Sequence, residues 1–158
     1  GGFVLDTPPW AESKILVTGP DFGTGSSREQ AVWALLDFGI RCVIGTSFGE
    51  IFYANCFRSC VLPVILGVPE HDRVLKTAEA GEEITVDLPY QVVILPDGSS
   101  FPFDIDAHRK QSLLDGMDEI GAILRDDLDD IVAFETAQRA AKPWLQLRQE
   151  QLSHFNDI

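Results

Sequence analysis

The stretch "DFGTGSSREQ", residues 21–30, places two glycines, two adjacent hydroxyls and an arginine between an apolar run and a helical pattern. Gly23 and Gly25 allow close backbone approach to a ligand, and a positive φ where one is needed. The N–H groups of the helix that follows point back into the loop, and the fork of Arg28 suits a carboxylate or phosphate. A serine is a very weak acid. For one to serve as a base, its alkoxide must be stabilised by backbone N–H groups, the helix dipole and a nearby cation. The same residues also read as a helix start. Ser26 with Glu29, and Ser27 with Gln30, each satisfy the S-x-x-E/Q capping pattern. One serine suffices for a cap, which leaves the second hydroxyl and both glycines unexplained. Arg28 opposes the helix dipole at a cost of roughly a few tenths of a kcal/mol. From these residues alone, a cap and an anion site both stay open.

Familiar alternatives do not fit. Ser26-Ser27-Arg28 follow Gly25 where a dinucleotide loop needs its third glycine, and no Gly-Lys-Ser/Thr forms a Walker loop. The "DFG" lacks the remaining kinase elements. None of His71, His108 and His154 comes with a triad context. His108 opens a helix and reads as a packing or capping residue, and Asn55 as a structural group on an apolar helix. Cys42, Cys56 and Cys60 lie in apolar segments without the tight C-x2-C pairs that cluster proteins favour. They read as ordinary thiols of a reducing cytoplasm.

The elements that must hold the loop follow an α/β pattern. Strands are predicted at 13–19, 40–45 and 61–66, with Pro63 marking an edge or bulge. Helices are predicted from Ser27 to Gly39 and from Ser47, whose Glu50 partner completes another S-x-x-E signature. This β-α-β-α-β order implies parallel strands with crossover helices. A short helix closed by Gly81 follows, and then "EEITVDL", "QVVILP" and "SSFPFDI", spaced as antiparallel hairpins. All six strands are expected in one mixed sheet. "HRKQSLLDG" and "MDEIGAILRDDLDDIVAFETAQRAA" read as C-terminal helices, with "RDDLDD" on a solvated face. Residues 146–158 are expected to form a flexible tail.

The 158 residues accommodate one core-bearing domain, and the net charge of −13 lacks the basic footprint that nucleic acid or an anionic membrane needs. No apolar run approaches the roughly 20 residues of a membrane span. Small anionic substrates stay compatible, because helix ends and single arginines decide their binding.

The run from Ile15 to Leu66 resembles the swivel domain of the aconitase superfamily, and within it the small subunits of bacterial 3-isopropylmalate dehydratases. The motif N-F-G-x-G-S-S-R-E-H-A appears as Asp21 to Ala31, with Asp21 for Asn and Gln30 for His. S-F-x-x-I-F-x-x-N matches Ser47, Phe48, Ile51, Phe52 and Asn55, and the "LLDGMDEIGAIL" stretch matches further on. The likeness covers about residues 3 to 145.

The resemblance implies a three-layer β/β/α swivelling domain over residues 1–158 that works with a large subunit bearing a [4Fe–4S] cluster. It implies no cofactor or metal in this chain, and a small dicarboxylate substrate isomerised by dehydration and rehydration. By motif, Ser26 becomes the catalytic base and Arg28 the ligand of a substrate carboxylate. Ser27, Gly25 and Thr24 assist in substrate binding. The family's N-terminal D-T-D-x-I-I-P segment is not found upstream of Gly1, so the chain is expected to lack that part. Related substrates remain alternatives, as in homoaconitases or methylmalate- and citraconate-type hydratases. A non-catalytic anion-binding or scaffold domain is the alternative of another class.

Overall fold

The structure is a computed structural model that describes residues 3–25, 28–117 and 119–146. Residues up to Glu119 form one compact unit, and those from Ile120 onward form a second.

In the first unit, β1 (Ile15–Val17), β2 (Cys42–Gly45) and β3 (Leu62–Ile65) make a parallel sheet in the order β1-β2-β3. Helix α1 (Gln30–Asp37) connects the first pair and α2 (Glu50–Arg58) the second, as the crossover pattern predicts. Pro63 pairs with Val43 at the sheet's edge, the one place where a missing N–H costs the ladder little. After α3 (Val68–Glu79), β4 (Thr85–Asp87), β5 (Val92–Ile94) and β6 (Ser100–Pro102) form a separate antiparallel meander. Strands of both senses are therefore present, but in two sheets and not in one mixed sheet. The division follows from side-chain alternation. Cys42 and Ile44 of β2, with Leu62 and Val64 of β3, pack with Val93, Leu95, Phe103 and Val74 in one cluster. Val43, between them in sequence, points the other way and packs with Val32, Ile40, Phe52, Cys56 and Val61. The parallel sheet thus has α1 and α2 on one face, and the antiparallel sheet with α3 on the other. Each fully buried aliphatic side chain contributes about 1.5–3 kcal/mol.

Two polar ties fix α3 to these layers. His71, buried on α3, places Nε2 2.8 Å from the carbonyl oxygen of Thr18 at the end of β1. A carbonyl only accepts, so Nε2 carries the proton. At the surface, Arg73 donates to Asp97 and to the Ser99 hydroxyl, each at 2.7 Å. Backbone and hydroxyl hydrogen bonds from Ser99, with Arg73 beside them, hold the Asp97 carboxyl below its usual range.

Helix α4 (Ala107–Asp115) starts where the sequence predicts, but its cap is Asp106 and not His108. The Asp106 carboxylate accepts the N–H groups of His108 and Arg109, and the His108 ring is exposed. The helix ends at Gly116 with φ 63°. Helix α5 (Glu119–Ala141), which lies in the second unit from Ile120 on, carries the 125–130 acidic run on exposed positions, and a short 3-10 turn follows at Pro143–Leu145. The tail expected over 146–158 lies outside the described residues except for Gln146.

Candidate active-site loop

The loop that follows β1 and the loop that follows β2 emerge at the carboxyl ends of adjacent parallel strands, where open α/β sheets place their ligands. The two loops are sewn together. Asp21 takes φ 54°, a left-handed conformation that Asp and Asn tolerate better than other side chains. Its N–H donates to the Ser47 hydroxyl oxygen at 2.7 Å, and that hydroxyl donates to Asp21 Oδ1 at 2.8 Å. Phe22 then pairs with Phe48 in an isolated parallel bridge. Its N–H reaches the Ser47 carbonyl at 3.3 Å, and its own carbonyl accepts the Gly49 N–H at 2.9 Å. A turn closes from the Thr24 N–H to the Asp21 carbonyl at 3.3 Å.

This approach is close enough to require glycine on both sides. Gly23 has φ 79°, and a Cβ there would lie 2.3 Å from Phe52 Cγ. A Cβ on Gly49 would lie 2.8 Å from Thr24 Cα and 2.9 Å from the Gly23 carbonyl carbon. Gly25 differs: a Cβ there meets nothing within 4 Å. Beneath the loop, Phe22 meets Phe52 edge-on at 5.3 Å between ring centroids, and Phe48 stacks on Phe52 at 6.1 Å.

Ser47 therefore does not cap α2, as its S-x-x-E signature predicts. The N-cap is Gly49, with no side-chain cap bond, and the Ser47 hydroxyl is occupied by Asp21. Helix α1 likewise begins at Gln30, later than the serines suggest, with Glu29 as its N-cap. Glu29 accepts from the Ser59 hydroxyl at 3.5 Å. Thr24, Gly25 and Arg28 are exposed around the start of α1. Ser26 and Ser27, the central pair of the sequence motif, lie outside the described residues. Gln30 is exposed at the first position of α1.

The remaining sequence candidates are packed away. Asn55 is buried in α2. Cys42 and Cys56 are buried thiols. Burial pushes Cys56 up to about 12 and Cys42 higher still, with the neighbouring Cys56 adding to the latter. Thiols held in the protonated form are poor metal ligands. Among the described residues, no group of three or more His, Cys, Asp or Glu side chains could hold a metal ion. The Asp21–Ser47 clamp, the Gly49 approach and the His71–Thr18 tie were missed by sequence reasoning. Only the S-F pair at 47–48 hinted at the first.

A three-layer α/β unit with a glycine- and serine-bearing loop at the carboxyl ends of its parallel strands defines a domain of the aconitase C-terminal class. Residues 1–68 match that family, described as the aconitase C-terminal domain. Residues 72–107 match the LeuD_N family, and residues 125–148 match the C-terminal domain of the 3-isopropylmalate dehydratase small subunit.

The chain belongs to the family of 3-isopropylmalate dehydratase small subunits. It is 49% identical over 145 residues to the small subunit of Xanthobacter autotrophicus, covering 90% of this chain and 72% of that one. To the small subunit of Rhodospirillum rubrum it is 49% identical over 149 residues, covering 92% and 70% respectively. The solved 3-isopropylmalate dehydratase (leuD) from Methanocaldococcus jannaschii superposes with a TM-score of 0.59 at 26% identity, over 77% of this chain and 70% of that one.

Proposed function

We propose that this chain is the small subunit of a cytoplasmic 3-isopropylmalate dehydratase and supplies the proton-transfer side of its active site. The observation that carries this reading is the 49% identity to curated small subunits over 90% of the chain, a span that includes the loop clamped at the ends of β1 and β2. In this reading the enzyme is completed by a large subunit, which bears a [4Fe–4S] cluster. The donor chemistry of this chain does not suit that group, and its own residues bind and deprotonate the substrate.

The substrate is a dianion. Arg28, at the positive end of α1, binds one of its carboxylates through two parallel N–H donors, assisted by Thr24, Ser27 and the backbone at Gly25. Ser26, as its alkoxide, takes the carbon-bound proton as the adjacent hydroxyl group leaves as hydroxide, the two together making up one water, and the unsaturated intermediate is left. Rehydration delivers the proton held by the serine to the carbon that lost the hydroxyl and adds hydroxide at its neighbour, so that one water is taken up in all. The helix N-terminus and Arg28 lower the energy of the serine alkoxide that this role requires.

The test mixes the chain with a cluster-loaded large subunit without oxygen and follows the unsaturated intermediate formed from 2-isopropylmalate. Ser26→Ala lowers turnover by about 10²–10⁴-fold, the worth of a positioned general base. Arg28→Gln raises KM for the dicarboxylate. Turnover unchanged by Ser26→Ala overturns the assignment of the base.

A further inference from the structure

Apart from the loop, one cavity of the first unit has a lining chemistry at odds with the chain's acidity. About 190 Å³ in volume, it lies between α2 and α4 and is lined by Ala54, Phe57, Arg58, His108, Arg109, Ser112 and Met117. In a chain with 25 acidic and 12 basic residues, this lining contains two arginines, a histidine and no carboxylate.

Arg109 is the informative member. Its guanidinium carbon stands 4.6 Å from the centroid of Phe57 and 5.5 Å from that of Tyr53. A cation over an aromatic face is attracted to the ring, and a guanidinium carries five N–H donors. The two rings, themselves 78° apart, hold Arg109 in place, and among the described residues its guanidinium makes no ion pair that would neutralise it. Two acids at the ends of α4 have partners of their own: Asp106 caps α4 through the His108 and Arg109 N–H groups, and Asp115 accepts from Gln111 at 2.7 Å. The Ser112 hydroxyl donates to the His108 carbonyl at 3.0 Å.

We infer that this cavity is a binding site for a small oxyanion of carboxylate or phosphate chemistry, with the ring-held Arg109 as its principal ligand and His108 beside it. The volume suits a small anion with a few waters and not a drug-sized molecule. The site is separate from the loop that bears Arg28 and does not depend on the proposed reaction.

The test titrates the whole chain with inorganic phosphate and, in a second series, with malonate, by calorimetry at constant ionic strength. Saturable binding of either is expected, with the arginine side-chain NMR resonances of the unaltered chain moving in the same titration. The series that saturates tells phosphoryl from carboxylate chemistry. Arg109→Gln weakens binding by about tenfold or more, the scale of one lost charge-assisted pair. Arg109→Lys keeps the charge but loses the fork and falls between. Arg28→Gln, which removes the loop's candidate anion ligand, leaves this binding in place. No saturable binding by the unaltered chain overturns the inference. So does binding that Arg28→Gln abolishes and Arg109→Gln does not.

Discussion

The Ser47 hydroxyl stands between two groups of Asp21, accepting its N–H at 2.7 Å and donating to its carboxylate at 2.8 Å. One side chain from the loop after β2 thereby fixes a left-handed residue in the loop after β1, three positions ahead of Thr24. The tie is exposed, so water replaces it when it is lost. Its worth to stability is only about 0.5–1.5 kcal/mol, and its greater effect falls on where the loop sits.

On the proposed function, Ser47→Ala is expected to leave the fold intact and to lower turnover of the reconstituted enzyme by roughly tenfold, because small misplacements of a loop that bears reacting groups slow the chemistry. Asp21→Asn retains both the conformational tolerance and a side-chain oxygen for Ser47, and keeps activity close to that of the parent. Parallel assays and thermal melts of the two variants check the pair. A Ser47→Ala enzyme as active as the parent would remove the clamp from the account of the site.

The two loop glycines separate in the same way. Gly23→Ala must place a methyl group 2.3 Å from Phe52 Cγ at φ 79°. Left-handed strain and overpacking together cost roughly 2–5 kcal/mol, which for a chain of this size lowers Tm by roughly 4–20 °C. Gly25→Ala meets open space and should melt within about 0.5 kcal/mol of the parent. Any loss of turnover in Gly25→Ala then reports on ligand approach and not on folding. Equal melting of the two variants would contradict the packing described for Gly23.

Much of this architecture was legible because local and global signals agree. The crossover order of the first three strands follows from short apolar runs alternating with amphipathic stretches. Gly39, Gly81 and Gly116, at positive φ, stand where helix ends are predicted. The division into two sheets was not legible, since alternation tells that Val43 and Ile44 face opposite ways but not which layer each meets. Ser47 misled for a definite reason. The S-x-x-E pattern records what a serine can do for the helix after it, whereas here the hydroxyl meets a residue 26 positions earlier. Within the site, the loop was evident from residue types, but the pinning that shapes it depends on contacts remote in sequence. Arg109 was passed over because its partners, Tyr53 and Phe57, lie on another helix.

His71 offers a test of how the loop is anchored from below. Its Nε2–H satisfies the Thr18 carbonyl in a buried setting, and Thr18 also donates its N–H to the Ile44 carbonyl at 2.8 Å. His71→Leu preserves bulk but leaves that carbonyl unsatisfied at a cost of about 1–3 kcal/mol. A fall in Tm of roughly 2–12 °C is expected, and His71→Gln, which can still donate, should recover part of it. Full stability of His71→Leu would show that the bond contributes nothing net.

The buried thiols make stability fall at high pH. In the unfolded chain both titrate near the ordinary value of 9.0, whereas burial raises Cys56 to about 12 and Cys42 further. Above pH 9 the unfolded state releases protons that the folded state keeps, so ionisation draws the equilibrium toward unfolding. The stability contribution is complete below about pH 9 and is lost as pH rises toward the folded values. Each thiol takes away about 1.4 kcal/mol per pH unit within that window. Urea midpoints measured at intervals from pH 8 to pH 11 should therefore drop in the parent chain. They should drop less steeply in a Cys42→Ala/Cys56→Ala variant, whose other titrating groups are unchanged. Iodoacetamide at pH 8 supplies a second readout, in which Cys42 and Cys56 resist modification in the folded chain and react once urea unfolds it. Identical pH slopes for the parent and the variant would mean that the two thiols ionise alike in the folded and unfolded states.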